Sequence, residues 1–138
     1  MFKFSTATWT GPGKTGTGKI TSGSNLLKEI PYTFDSRFSS DVFGTNPEEL
    51  LAAAHASCFA MKLGFILDEA GHSAKSLRVT AKVEFANGTI SSSHLEVWAQ
   101  VLDISRESFL ESIQETERCC PVSRALRIPI TCTTNLDI

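Results

Sequence analysis

Apolar and polar residues alternate in some stretches of this chain and recur at helical spacing in others. Leu77, Val79, Ala81, Val83 and Phe85 occupy every second position, Asn87-Gly88 follows, and Leu95, Val97, Ala99 and Val101 resume the alternation. Period-two patterning on both sides of an Asn-Gly pair predicts an antiparallel hairpin with one buried face. Ile128, Ile130, Cys132, Thr134, Leu136 and Ile138 repeat the alternation and predict a last strand. Near the start, residues 2–9 (FKFSTATW) and 20–34 (ITSGSNLLKEIPYTF) read as extended segments, with a flexible Gly-rich hairpin loop between them. That loop is not a phosphate cradle, because Gly18-Lys19 leads into Ile20 and a strand-like run rather than into Ser or Thr and a helix.

The segment Thr45-Asn46-Pro47-Glu48-Glu49-Leu50 predicts a helix start, with capping residues, proline at the first helical position and acids in the first turn. Gly71 is the matching stop. The interval is about 24 residues, roughly 36 Å of helix at 1.5 Å per residue. Its Ala-rich, nearly all-round apolar surface predicts burial on most sides, including against a second copy of itself. Asp103 or Ser105 can cap a second helix carrying Phe109, Leu110, Ile113 and Cys120, and Pro121 ends it because the residue before a proline is pushed out of the α region. Pro121 can open a further short helix through Val122, Ala125 and Leu126, leaving Cys120 at its N-cap. The serines at 91–93 read as loop. The sum is ββ(β)–α–ββ–α–β, an α+β chain with helices on one face of antiparallel sheet.

With 138 residues and 41% hydrophobic content the chain suits one domain spanning 1–138. A net charge of −2 with scattered Lys and Arg gives no footprint for nucleic acid. MFKFSTATWT does not have the pattern of a secretory signal, so a cytoplasmic setting is expected. The apolar run Leu50–Leu67 is interrupted by His55, Ser57 and Lys62, which predicts a buried helix and no membrane partner. The four cysteines, at 58, 119, 120 and 132, should then rest reduced, which disfavours structural disulfides but not catalytic ones.

Three runs of sequence carry a resemblance. Thr45-Asn46-Pro47-Glu48-Glu49-Leu50-Leu51-Ala52-Ala53-Ala54-His55-Ala56-Ser57-Cys58-Phe59 resembles the signature around the first cysteine of the OsmC/Ohr family. Cys120-Pro121-Val122-Ser123 is similar to that around its second, and Phe34-Asp35-Ser36-Arg37-Phe38 to the stretch bearing its arginine. The His-Ala-Ser-Cys form looks most like the osmotically inducible branch. The resemblance implies an intertwined homodimer with two long helices at its centre and an organic hydroperoxide substrate. It implies Cys58 as peroxidatic cysteine, Cys120 as resolving cysteine, and Arg37 with Glu48 as polar partners. It also implies reduction by a dithiol or lipoyl-bearing partner, with no metal, haem or flavin cofactor. Cys119 departs from the pattern, and leaves open an attack from that sulfur or a vicinal Cys119–Cys120 bridge.

The chemistry asks for such residues. A thiol attacks an O–O bond as thiolate, and an unperturbed cysteine, with a pKa near 8.5, is mostly protonated at neutral pH. Cys58 lies too far along the helix to feel its N-terminal dipole, so a cation is required, and Arg37 is the candidate. Glu48 would fix the guanidinium. Ten residues separate Glu48 from Cys58, roughly 15 Å along a straight helix, so Glu48 of one subunit is expected to serve Cys58 of the other. The sulfenic acid formed by attack needs a second thiol to condense with, the part expected of Cys120. An apolar wall of Phe43, Leu51, Ala54, Phe59 and Met61 should favour peroxides with a hydrocarbon tail. His55, three residues before Cys58, reads as a packed, hydrogen-bonded histidine, since neither Cys-x-x-Cys nor His-Glu-x-x-His accompanies it; His72 and His94 find no metal-binding partners, and Cys132 reads as core. Competing readings are a redox-sensing thiol switch and a non-catalytic, stress-induced dimer that binds apolar ligands.

Overall fold

The computed structural model describes residues 1–137. Its elements are β1 (Ser5–Thr10), β2 (Thr17–Ser22), β3 (Ile30–Tyr32), α1 (Phe34–Phe38), α2 (Pro47–Glu69), β4 (Ala74–Ala86), β5 (Thr89–Val101), α3 (Arg106–Cys119), α4 (Pro121–Ala125) and β6 (Ile130–Asp137). They group into two units, Met1–Leu50 and Leu51–Ile138, each with a three-stranded sheet in this α+β chain.

In the first unit β1, β2 and β3 pair antiparallel in sequence order, and the Thr10↔Thr17 pair closes the predicted Gly-rich hairpin. Gly18 is required there by close approach: a Cβ would sit 2.4 Å from the Tyr32 ring. The segment 20–34, predicted as extended throughout, is not. Asn25 and Glu29 take positive φ (61° and 50°) in the turn before β3, and residues 34–38 form helix α1. Thr33 nucleates that helix, its hydroxyl accepting from the Ser36 N–H while the Ser36 hydroxyl accepts from the Thr33 N–H. Phe2, Phe4, Trp9, Phe34, Phe38 and Phe43 are all exposed.

In the second unit the inner face of α2 sets Phe59, Leu63 and Leu67 against Leu95, Val97, Ala99 and Val101 of β5, with Ile104, Phe109, Ile113 and Cys120 completing the core. The 4-residue step on the helix and the 2-residue step on the strand are the two periods that bring one apolar face onto another. Leu110, predicted with Phe109 and Ile113, is instead exposed. β4 and β5 form the predicted hairpin, with Asn87 and Gly88 both at positive φ as a type I′ turn requires. The serines at 91–93 are not a loop but part of β5, which continues to Thr89, and Ser93 points inward on the face carrying Leu95 and Val97. β6 pairs with β5 in parallel, so this sheet is mixed rather than antiparallel. The reason is the α3–α4 crossover, which returns the chain to the end where β5 began. Ile130, Cys132, Thr134 and Leu136 face inward as predicted; Ile138 lies outside the described residues.

Helix α2 is capped by Asn46, whose side chain accepts from the Glu49 N–H at 2.8 Å. At its other end the Gly71 N–H reaches the Asp68 carbonyl and the His72 N–H the Leu67 carbonyl, a Schellman motif with Gly71 at φ +86°. Burial on most sides is not what the chain supplies: Ala54, Ser57, Met61 and Phe65 form an exposed stripe, with Met61 66% and Phe65 61% accessible. At 23 residues and mean hydropathy 1.7 the helix is long and apolar enough to cross a bilayer, a criterion that core helices of globular domains also meet.

A methyl group at Gly71 would meet nothing within 4 Å, so Gly71→Ala carries only the cost of its left-handed backbone and should destabilise by about 1 kcal/mol in urea unfolding. Gly13→Ala, equally roomy and outside that backbone region, should change stability by under about 0.5 kcal/mol.

Candidate active site

Arg37 occupies the last turn of α1 and Glu48 the first turn of α2. Ser36 holds the two together: its hydroxyl donates to the Thr45 carbonyl at 2.8 Å, and its carbonyl accepts from the Asn46 side chain at 3.3 Å. The guanidinium then grips the carboxylate side-on, Nε lying 3.0 and 3.1 Å from the two oxygens and Nη2 2.5 Å from Oε1. Glu48 is buried and Arg37 half-buried. The hydrogen bond from Arg37 holds the Glu48 carboxyl below its usual range, and the same bond raises the arginine further. The result is a fixed cation within a single protomer.

Beside Arg37 lies a cavity of about 180 Å³ lined by Trp9, Gly13, Tyr32, Thr33, Phe34 and Pro47 together with the arginine. The Trp9 and Tyr32 rings stand 5.5 Å apart at its wall. Sequence reasoning missed these aromatics because they come from two strands, β1 and β3, with no shared period. Of the wall it proposed, Phe59 is wholly within the core, while Phe43, Ala54 and Met61 are exposed.

In the second unit, the half-buried Cys58 thiol lies on α2 against the buried Cys120 thiol and the Val122 backbone N–H, with Lys62 one turn on. Cys120 reaches this place as the shared joint of α3 and α4, with Pro121 at the first position of the latter. All four cysteines are free thiols. The acidity expected at Cys58 is not supplied by these neighbours. Burial pushes its pKa up, the Val122 N–H pulls it down, contact with Cys120 pushes it up again, and the Lys62 charge offsets only part, so the net direction is upward. Cys119 turns elsewhere: its thiol donates to Glu115 Oε1 at 3.2 Å, and that bond raises its pKa. Cys132, packed against the core, is pushed up to about 11 by burial and then by Glu117.

His55 is fully buried, and both ring nitrogens are engaged, Nδ1 with Ser93 Oγ and Nε2 with Ser123 Oγ, each at 2.8 Å. This is the packed, hydrogen-bonded histidine expected, and burial lowers its pKa. A neutral ring has one donor and one acceptor, so it donates to one serine and accepts from the other. Its serine partners, remote in sequence, were not foreseen, although Ser123 stands inside the Cys-Pro-Val-Ser run. His94 bonds Thr131 and Thr133 on the outer face of the sheet.

The model of the OsmC-like protein family matches residues 38–135. Peroxiredoxin OsmC of Escherichia coli (strain K12) is 40% identical over 129 residues, covering 91% of this chain and 90% of that one. The chain belongs to the OsmC family. An OsmC-like protein from Mycoplasma pneumoniae shares the fold at TM-score 0.79 with 14% identity, covering 100% of this chain and 99% of that one. An organic hydroperoxide resistance protein from Elizabethkingia anophelis, 26% identical, superposes at TM-score 0.70 over 98% of this chain and 99% of its own. The OsmC-family match takes in Cys58, Cys120 and Glu48 but begins one residue after Arg37.

The buried, neutral His55 gives a pH test. Its folded pKa lies below the ordinary 6.5, so the unfolded chain takes up the proton first as pH falls through 6.5, and stability is lost from there downward. Between about pH 7.5 and about pH 5.5 the thermal midpoint of the protein should fall more than that of His55→Asn, which has no titrating ring. Equal slopes would remove His55 as the source.

Proposed function

We propose that this OsmC-family chain is a cysteine-based thiol peroxidase that reduces organic hydroperoxides to alcohols. The observation that carries the reading is the placement of a helix-borne thiol, Cys58, against the core that contains a second thiol, Cys120, close enough for Cys120 to shift the pKa of Cys58. The Cys58 thiolate attacks the distal peroxide oxygen, the O–O bond breaks, and the departing alkoxide takes a proton to become the alcohol. Cys58 is left as sulfenic acid. The Cys120 thiol condenses with it: the S–O bond breaks, the S–S bond forms, and water leaves with the thiol proton. A dithiol, lipoyl-type by family resemblance, reduces the bridge by exchange and becomes a disulfide itself. No metal or organic cofactor takes part. A cytoplasmic setting, where thiols rest reduced, suits the cycle.

Because its near neighbours leave the Cys58 thiol above its usual pKa, the cycle needs a cation, and the Arg37–Glu48 pair is the proposed source. The protein acts as a homodimer in which that pair from one subunit serves Cys58 of the other. Support comes from the exposed stripe of Ala54, Met61 and Phe65 on α2 and from the exposed aromatics of the first unit, more apolar surface than a lone chain keeps in water. The aromatic cavity beside Arg37 suits a hydrocarbon tail attached to a polar head. A second reading, a slow redox-sensing switch built on the same thiol pair, is favoured by the upward shift of Cys58 should the cation be absent.

With a dithiol reductant, wild type should turn over repeatedly, and faster with cumene hydroperoxide than with hydrogen peroxide. Cys58→Ser should be inactive, Cys120→Ser should stop after one turnover and overoxidise, and Cys119→Ser should stay within about twofold of wild type, within the small effects expected away from the reacting atoms. One turnover by wild type would favour the switch. Subunit sharing is read by mixing inactive Cys58→Ser with inactive Arg37→Ala: a mixed dimer regains one complete site only if Arg37 acts across the interface. No recovery in demonstrably mixed dimers would place both partners on one chain.

A further inference from the structure

We propose that His55 is a positioning residue for disulfide closure: strung between Ser93 on β5 and Ser123 on α4, it holds α4 so that the Cys120 thiol stays facing the Cys58 sulfur. The inference rests on the peroxidase reading and concerns its second step alone.

Helix α4 is a weak element on its own. It has five residues, none of them buried, and Cys120 makes no side-chain cap at its N-terminus. A single turn of helix does not hold itself in water and needs outside anchorage. Cys120 and the partly buried Val122 give it an apolar footing on the core. The Ser123 hydroxyl gives it a directional one, a 2.8 Å bond to His55 on α2. Apolar contact is non-directional, so it can keep α4 on the core without fixing how far it slides along α2. A hydrogen bond fixes that coordinate, because it weakens steeply with distance and angle.

The placement of the bond matters for the sulfurs. His55 and Cys58 are three residues apart on α2 and therefore face the same way. Val122 and Ser123 are consecutive on α4, and the Val122 amide lies near enough to the Cys58 thiol to lower its pKa while the Ser123 hydroxyl bonds the His55 ring. The two helices thus meet in two contacts one helical turn apart, one of imidazole with hydroxyl and one of sulfur with sulfur and amide. The ring in turn is pinned by Ser93 on the central strand of the sheet, which fixes its rotation and leaves Nε2 aimed at α4. Among the described residues no buried side-chain nitrogen or oxygen is left without a partner, so this chain of three side chains is complete. Condensation of a sulfenic acid with a thiol depends on the approach of two atoms, and a small misplacement is enough to slow such a step. Attack on the peroxide uses Cys58 and its proposed cation but not Cys120, so the tether should not affect it.

The test separates the two steps. Protein is treated with one equivalent of cumene hydroperoxide in the presence of dimedone, and mass spectrometry measures the dimedone adduct at Cys58 against the Cys58–Cys120 bridge. Wild type should give mainly the bridge. Ser123→Ala should form sulfenic acid at the wild-type rate yet close the bridge about tenfold more slowly, the size of one lost hydrogen bond expressed in rate, so the adduct dominates. Ser123→Thr, which keeps a hydroxyl, should restore closure, and Ser93→Ala should show the defect in milder form. A merely structural histidine would lower the melting temperature of Ser123→Ala without changing the ratio of adduct to bridge. Wild-type partitioning in a folded Ser123→Ala protein overturns the inference and leaves the peroxidase standing. Failure of wild type to lose any thiol overturns both.

Discussion

Burial and ionisation of one sulfur pull in opposite directions, and the arrangement of this chain follows from that conflict. On the proposed peroxidase reading Cys58 needs shelter to keep a sulfenic acid from water and surplus oxidant, but shelter favours the neutral thiol. Its position on α2, beyond the reach of the helix dipole, removes the usual local remedy. What remains is a set of small corrections, the Val122 amide and the Lys62 charge, which do not overcome burial and the neighbouring thiol. The proposed use of Arg37 answers that shortfall with a permanent charge. Glu48 keeps the guanidinium from being a floppy surface group, at the cost of neutralising part of its field.

Helix α2 reconciles these demands by its period. Positions 55, 59, 63 and 67 share the inner face, so the core and the bonded histidine are on one side. Cys58 stands at the border of that face, neither in the core nor in water. The outer stripe at 54, 61 and 65 is apolar and is not covered by its own chain.

Much of this was legible in the sequence where a period ran long enough to be read. The β4–β5 hairpin, α2 and its caps, and the break at Pro121 all follow from patterns of ten residues or more, or from residues whose backbone preferences are strong. Helix α1 was not legible, because its five residues fit no period and its capping box uses Ser36 in place of the usual Glu or Gln. Ser91, Ser92 and Ser93 read as loop by composition, yet register with β4 and the need of a hydroxyl for His55 place them in β5. Strand orientation carries no period at all, so the parallel β5–β6 pairing was invisible. The candidate residues show the same division. Cys58, Cys120, Arg37 and Glu48 lie in recognisable runs, whereas Ser93, Trp9 and Tyr32 join their clusters through long-range contacts that one sequence does not encode locally.

The parallel pairing of β6 has a consequence for biogenesis. Strand β6 can join β5 only after the whole crossover carrying α3 and α4 has wrapped back, and closures of that kind come late because a long loop must be ordered before any contact repays it. Cys120 rides in that crossover. A newly made chain therefore passes through a period in which its first sulfur already sits on a formed helix while its neighbour is still far away. Under the proposed cycle, an oxidant met in that interval would leave a sulfenic acid with nothing to condense with, so maturation would be the stage most exposed to peroxide.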